Sequence, residues 1–561
     1  MSWKLKEKAR AILQREEGTI VKPWGGKVSI VLVYPNYYHV GMSNLGFQSV
    51  YRIINDLSFA VCERAFLPGK GELKEFIRTS TPLFSLETQT PLQNFDLIAF
   101  SISFENDYPN VLTILNLSRI PLLSSRRKNG SPFVFAGGIT TFLNPEPLSE
   151  FMDFFALGES EELLPECLSL IADCSNQNIS RRQFLTRLAE IEGIYVPQLY
   201  KVTYEEDGKI SSFLPKKGIS PRVKRRWIKK INQYPTRSLV SSPETEFGEM
   251  FLIEIGRGCS YGCRFCASGW VYRPARIQSL KSLKESILTG LKNNKKIGLI
   301  SFCLGDHPEL KKICQMITEA GGKISVSSLR IKSINKDLVK ALKTSGHQSI
   351  TLAPETGSER LRKVIKKDIT DEEIFEAVEL VAMNGIPNLR LYFLIGLPTE
   401  TMEDIERIVL LTKKIKHHII KSLQKKSLPG TITLSITPFV PKPFTPFQWA
   451  PFENLKLLNQ KIRHIQNRLK KEPQVLVTFD LPKWSYIQAL LSRGDRRVGK
   501  ILLEVHKNGG DWNKAFQVIN INPDFYVYRH RELDEILPWD FIDQGIKKET
   551  LISEYHQSLI E

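Results

Sequence analysis

The chain reads as an α/β protein built from two parallel-sheet units in series. An N-terminal doubly wound parallel-sheet domain (residues 1–205) precedes a partial (β/α)6 TIM-like barrel (246–450) and a small α-rich C-terminal extension (451–561). Three observations predict this. Short apolar runs alternate with helical spacing from residue 27 onward, the alternation lapses across 206–245, and a second strand-then-helix series resumes at "EMFLIEIG". At 561 residues one hydrophobic core would be too large, so several domains are expected.

The opening "MSWKLKEKARAILQREEG" has the spacing of an amphipathic surface helix. "KVSIVLVYP" then predicts a strand, "LGFQSVYRIIND" a helix, and "FAVCERAFLP", "FDLIAFSISF", "PFVFAGG" and "MDFFALG" further strands. In such sheets ligands sit beyond the carboxyl ends of strands. Ser101, Ser103, Gly137 and Gly138 stand at those ends, small residues that let a large flat ligand approach the backbone but that also serve ordinary turns. Residues 206–245, with "PKKGISPRVKRRWIKKINQYPTRS", read as a basic inter-domain linker, a solvated face by default and an RNA contact as the alternative. The barrel strands are "EMFLIEIG", "GLISFC", "KISVSSL", "SITLAP", "LRLYFLIG" and "TITLSITPF". In the extension, "KIRHIQNRLKK" and "RGDRRVGKILLEVHKNGGDW" read as helical.

The balance of 78 basic against 60 acidic residues, +18, favours polyanionic partners without naming one. No run of about twenty apolar residues could cross a bilayer and no apolar signal core follows the N-terminus, so a cytoplasmic protein is expected. Cys62, Cys167, Cys174, Cys303 and Cys314 follow no disulfide framework, which fits a reducing compartment.

The chemistry concentrates in "EIGRGCSYGCRFCASGWVYRPAR", residues 254–276, where Cys259, Cys263 and Cys266 fall within eight positions after the first barrel strand. Thiolates suit zinc or iron–sulfur groups. Zinc fingers use paired CxxC knuckles, and a ferredoxin cluster uses four cysteines. Three thiolates around a four-iron four-sulfur cluster leave one iron open to a small molecule. The alternatives are a zinc site completed by Cys303 or His307, or a non-catalytic iron–sulfur or zinc sensor with four protein ligands.

The CxxxCxxC spacing with Phe265 before the last cysteine, on the loop after the first strand of a βα barrel, resembles the radical S-adenosylmethionine (SAM) superfamily. The resemblance implies a 4Fe-4S cluster on Cys259, Cys263 and Cys266, with SAM chelated at the open iron and cleaved reductively to a 5′-deoxyadenosyl radical. It also implies an electron donor such as flavodoxin or ferredoxin. "SFCLGDHPEL" matches the segment that meets the methionine amino group, with Gly305 and Asp306 where the family has a second glycine and a glutamate. "LAPETGSERLRK" makes Glu355 the candidate for the ribose hydroxyls, with Arg360 either facing the carboxylate or lying on a helix surface. "LIGLPTET" resembles the adenine loop through Gly396 and Pro398, with Glu400 capping the next helix, and Ser327 and Arg330 point to the same rim.

The preceding doubly wound domain, with "YPNYYHVGMSNLG", "AGG" and "NPEPL", resembles the fused cobalamin-binding branch. The DxHxxG motif that carries a cobalt-ligating histidine is absent. Cobalamin is then expected to bind through backbone contacts near Ser101, Ser103, Gly137 and Gly138, or the fold persists without the cofactor. The implied activity is cobalamin-assisted methylation or other modification of an unactivated carbon, with an RNA-modifying enzyme as the alternative. The scatter of Cys62, Cys167 and Cys174 argues against the second cluster of methylthiotransferases. No residue is assigned a catalytic role, and the substrate is not readable.

Overall fold

Val28–Tyr34 (β1), VSIVLVY, is buried at every position. A β-branched and aromatic run without polar interruption makes a strand covered on both faces, as a parallel sheet between helices requires. In the computed structural model, which describes residues 2–175, 179–248, 250–293, 295–423 and 430–561, β1 lies between Ala60–Phe66 (β2) and Leu97–Ser101 (β3). Phe133–Gly137 (β4), Phe154–Ala156 (β5) and the antiparallel Ile194–Tyr195 (β6) complete the order β2-β1-β3-β4-β5-β6. The order reverses at β1/β3, the switch point beyond which a crevice opens. Asn44 fixes the start of helix Leu45–Asp56 by accepting from the Phe47 N–H.

The predicted linker is largely built into the molecule. Tyr200–Tyr204 and Ile210–Pro215 form a hairpin, and Val223–Lys224 pairs with Ile542–Asp543 near the far end of the chain. Its basic run divides: Lys229 and Lys230 are exposed, whereas Arg225 is buried and Arg226 pairs with Glu162 and Glu166.

The six expected barrel strands are present, and all run parallel. Met250–Glu254 (β7), Lys296–Ile300 (β8) and Lys323–Val326 (β9) form one sheet. Ser349–Glu355 (β10), Asn388–Ile395 (β11), Ile432–Pro438 (β12) and Val475–Phe479 (β13) form another. Among the described residues one parallel bridge, Leu329 to Leu352, joins the two into an open partial barrel. β13 lies in the segment read as α-rich. The strands alternate differently from β1: ITLSITP in β12 is buried at every second residue, because one face meets helices and the other faces the open interior. No helix among the described residues is long and apolar enough to cross a membrane.

Candidate functional site

β7 leads directly into the cysteine loop. Gly256–Arg257 pairs antiparallel with Arg276–Ile277, closing the loop at its base. Gly258 takes φ +84°, and a Cβ there would lie 2.3 Å from the Tyr272 carbonyl oxygen, so only glycine fits the turn. Within the loop the Cys266 N–H donates to Cys263 O (3.2 Å) and the Trp270 indole donates to the same oxygen (3.0 Å). Arg264, 2% exposed, donates to Val364 O (2.9 Å) and to Glu554 (3.0 Å) on the last helix, Lys548–Ile560. Sequence spacing gives no sign of this anchor, because its two halves lie 290 positions apart.

The three thiols feel one another and a common set of charges without closing on a point. Among the described residues no three His, Cys, Asp or Glu are set to hold a single metal ion. Cys259 is lowered to about 6, chiefly by a hydrogen bond from the Cys303 thiol, with the Tyr261 N–H and Arg330 assisting. Cys303 is correspondingly pushed up. Burial raises Cys263 against the pull of Lys367 and Arg330, and raises Cys266 to about 11. Cys303 is therefore a half-buried neighbour of Cys259. His307 is committed elsewhere: its Nε2 meets Gln278 O at 2.9 Å and its Nδ1 accepts from the Glu309 N–H at 3.1 Å. A zinc site completed by His307 is thus not assembled. A soft donor set of thiols beside Arg330 and Lys367 fits a thiolate-bound cluster carrying negative charge.

Several residues expected to bind SAM gather at this mouth. Burial and the neighbouring Asp306 carboxylate push the Tyr261 hydroxyl up, and the Arg330 guanidinium stacks 3.2 Å from the Tyr261 ring centroid with its buried Nε unpartnered. Glu355 sits at a register shift in β10 with φ +67° and receives Lys367 at 2.7 Å. Lys367, 8% exposed and electrostatically coupled to Cys263, was missed by the sequence pattern, where it is one of several lysines. Gly305 has a packing reason for lacking a side chain, since a Cβ would meet Ser333 Oγ at 2.1 Å. Ser327 is exposed just beyond β9.

Gly396 and Pro398 stand on the loop after β11. Gly396 has φ +81°, and its N–H donates to Glu400 (2.6 Å), which also receives Lys461 (2.6 Å). Burial pushes Glu400 up to about 7 despite that lysine. Arg360 pairs with Asp404 (2.6 Å) and the Thr399 carbonyl (2.9 Å), bracing this loop.

A cavity of about 410 Å³ lies beyond the carboxyl ends of β3, β4 and β5 and brings together all of Ser101, Ser103, Gly137 and Gly138. Arg257, Tyr272 and Phe302 of the barrel line its far side. Gly138 takes φ +109°, and a Cβ there would press to 2.3 Å from Ile102 O. The buried Ser49 hydroxyl and Glu161 Oε2, both on residues lining the cavity, have no hydrogen-bond partner. Orphaned buried polar atoms in a largely apolar cleft fit a large ligand bearing polar groups. Among the described residues no histidine lines the cavity; His39 lies outside it, 3.4 Å from Glu246 and half exposed. The two domains are clamped at the cavity's edge, where buried Glu159 receives both Arg276 nitrogens (2.8 and 2.6 Å), Arg257 (3.2 Å) and the Ile228 N–H (2.9 Å).

Comparison with known proteins matches residues 253–412 to the family described as Radical SAM superfamily and residues 46–197 to that described as Radical SAM proteins, N-terminal. The chain is 32% identical over 476 residues to Uncharacterized protein MJ0966 of Methanocaldococcus jannaschii, spanning 84% of this chain and 90% of that one. It is 28% identical over 258 residues to Uncharacterized methyltransferase PH0819 of Pyrococcus horikoshii, covering 44% of this chain and 52% of the relative. Among solved structures, the radical S-adenosylmethionine methyltransferase TsrM from Kitasatospora setae, with cobalamin and a [4Fe-4S] cluster bound, superposes with a TM-score of 0.53. That match is 12% identical and covers 88% of this chain and 100% of the other, a likeness of fold.

Proposed function

The chain belongs to the radical S-adenosylmethionine superfamily and is a radical SAM enzyme, and we propose that it uses a 4Fe-4S cluster and SAM, with cobalamin, to methylate or otherwise modify an unactivated carbon. The observation that carries this reading is the juxtaposition of a three-thiol loop at the mouth of a partial barrel with a cavity at the ends of the N-terminal sheet, the two sharing Arg257 and Tyr272 as a wall. Cys259, Cys263 and Cys266 would hold the cluster. When bound, it supplies one electron to the sulfonium of SAM, releasing a 5′-deoxyadenosyl radical, while cobalamin supplies a methyl carrier.

The protein's part is binding, orientation and exclusion of water. Arg330 and Lys367 offset the thiolates' charge. Asp306, Ser327, Arg330 and Gly305 border the methionine end of SAM. Glu355 meets the ribose, with Lys367 holding one carboxylate oxygen in place, and Gly396 and Pro398 shape the adenine loop. Ser101, Ser103, Gly137 and Gly138 line the corrinoid cleft, and the absence of histidine from that lining favours cobalamin held without a protein imidazole on cobalt. The reductant is a small electron carrier such as flavodoxin or ferredoxin. Relatives that include tRNA methylthiotransferases keep RNA as a second substrate class. Cys62, Cys167 and Cys174 speak against methylthiolation: all three are buried in the N-terminal core, on β2 and helix Ser160–Ser175.

Anaerobic reconstitution with iron and sulfide, reduction, and chromatography for 5′-deoxyadenosine test the radical step. Titration with hydroxocobalamin, followed by its visible spectrum, tests the second cofactor. A cluster with all four irons held by side chains, or no nucleoside product, would end the reading.

A further inference from the structure

The C-terminal extension carries a cleft of about 490 Å³ that the chemistry above does not use. It lies between helix Pro482–Arg493, which begins immediately after β13, and the short helices Trp512–Val518 and Asp524–Val527. Its walls are aromatic: Trp484, Tyr486, Trp512, Phe516 and Tyr528. The rings form a continuous row, Trp512 to Phe516 at 5.8 Å, Phe516 to Tyr486 at 6.4 Å and Tyr486 to Tyr528 at 5.6 Å between centroids. Trp484 is 46% exposed, a large apolar surface left facing water.

Charge decides which ligand suits these walls. In a chain of net charge +18 the cleft is locally acidic, with Asp511 and Asp524 against Lys483. Asp511 caps its helix and has Lys514 at 4.0 Å. Asp524 is freer: Oδ1 accepts from the Tyr486 hydroxyl (2.6 Å), and Oδ2 has no partner among the described residues. Lys483 already lies 5.3 Å from the Trp484 ring centroid, whereas no cation of the described chain covers Trp512, Phe516 or Tyr528. Aromatic rings that no cation covers, beside a carboxylate oxygen without a protein partner, attract a soft, weakly hydrated cation, and the carboxylate repels the phosphates that accompany a stacked nucleobase.

We propose that this cleft binds an alkylated ammonium head group, packed along the aromatic row that runs from Trp512 to Tyr528, with Asp524 balancing its charge. The site is independent of the cluster and of SAM.

The test uses the full-length reconstituted enzyme labelled with 5-fluorotryptophan, its Trp484 and Trp512 resonances assigned through Trp484→Phe and Trp512→Phe. Choline is expected to shift these signals saturably, and the neutral isostere 3,3-dimethylbutan-1-ol to need at least about fivefold more for the same effect. Asp524→Asn should weaken choline about threefold or more, and Trp512→Leu at least about fivefold, while Trp512→Phe keeps most of the affinity and reports an intact fold. A peptide bearing trimethyl-lysine that binds more tightly than choline would show the cation to arrive on a polypeptide; equal binding would show a free small molecule. Equal response to choline and its isostere, shifts by an oligouridylate but not by choline, or no shift with either would each overturn the proposal.

Discussion

Glu159→Gln would remove the carboxylate on which Arg276, Arg257 and the Ile228 N–H converge, leaving Arg257 paired with Glu161 and Glu254. The side chain is 5% exposed and takes three hydrogen bonds, two of them from Arg276, with Arg257 as a further ion pair at 3.2 Å. Burial alone would push its carboxyl up, but the Arg276 hydrogen bonds and the charges of Arg257 and Arg276 more than offset this and hold it below the usual carboxylate range. Glutamine keeps the shape, loses the charge and turns an NH2 group toward a guanidinium. Breaking a buried pair from one side costs about 3–5 kcal/mol, roughly a hundredfold to several thousandfold in the folded-to-unfolded ratio. A control at the surface, Glu504→Gln beside Lys507, should cost under about 1 kcal/mol. Urea unfolding followed by tryptophan fluorescence, with proteolysis of the 206–245 segment as a second probe, measures both. Replacing the pair together, Glu159→Leu with Arg276→Met, should recover much of the loss, because the two groups are apolar and Arg257 keeps Glu161 and Glu254 as partners. Because the folded pKa is depressed, the stabilisation is present at neutral pH and is lost as pH falls through the folded value. A Glu159→Gln loss no larger than the surface control would refute the account of the clamp.

Alanine at Cys259, Cys263 or Cys266 should each abolish the cluster's visible absorbance and 5′-deoxyadenosine formation, whereas Cys303→Ser should retain iron near the wild-type content. Gly138→Ala combines φ +109° with a Cβ 2.3 Å from Ile102 O and should cost about 2 kcal/mol or more and release cobalamin on gel filtration. Gly130→Ala, at φ +86° with open space around it, should leave cobalamin bound. Asp107, raised to about 7 by burial with Asn36 opposing at 2.9 Å, holds its proton in the folded state where the unfolded chain has lost it. Stability should therefore fall as pH rises from about 4 to 7, and Asp107→Asn should flatten that slope in denaturation curves taken at several pH values.

What the sequence shows most readily is what local pattern encodes. β1, β3, β4 and the six barrel strands follow from short β-branched runs between helical spacings, and the cysteine loop from thiols at a spacing no core needs. β13 escapes because VLVTF follows a basic helix and precedes a proline, a context that reads as the edge of a helical segment. Arg264 with Glu554, Lys367 with Glu355, and Glu159 with Arg257 and Arg276 are pairings across elements. Apart from Glu355, which its motif singled out, each residue taken alone looks like an ordinary surface charge. Gly305 and Gly396 show the reverse case: the family resemblance picked them out for closeness to a ligand, while Ser333 crowds the first and Leu458 the second, at 2.9 Å from the built Cβ.

Among the described residues the two barrel sheets meet through one backbone bridge, Leu329 to Leu352. Ser327 and Arg330 belong to one bank of that joint and Glu355 to the other. A nucleoside spanning the banks would act as a strut, so that its arrival stiffens the seam and its departure as products loosens it. Mutations along the seam would then alter turnover while leaving each sheet's own ladder intact.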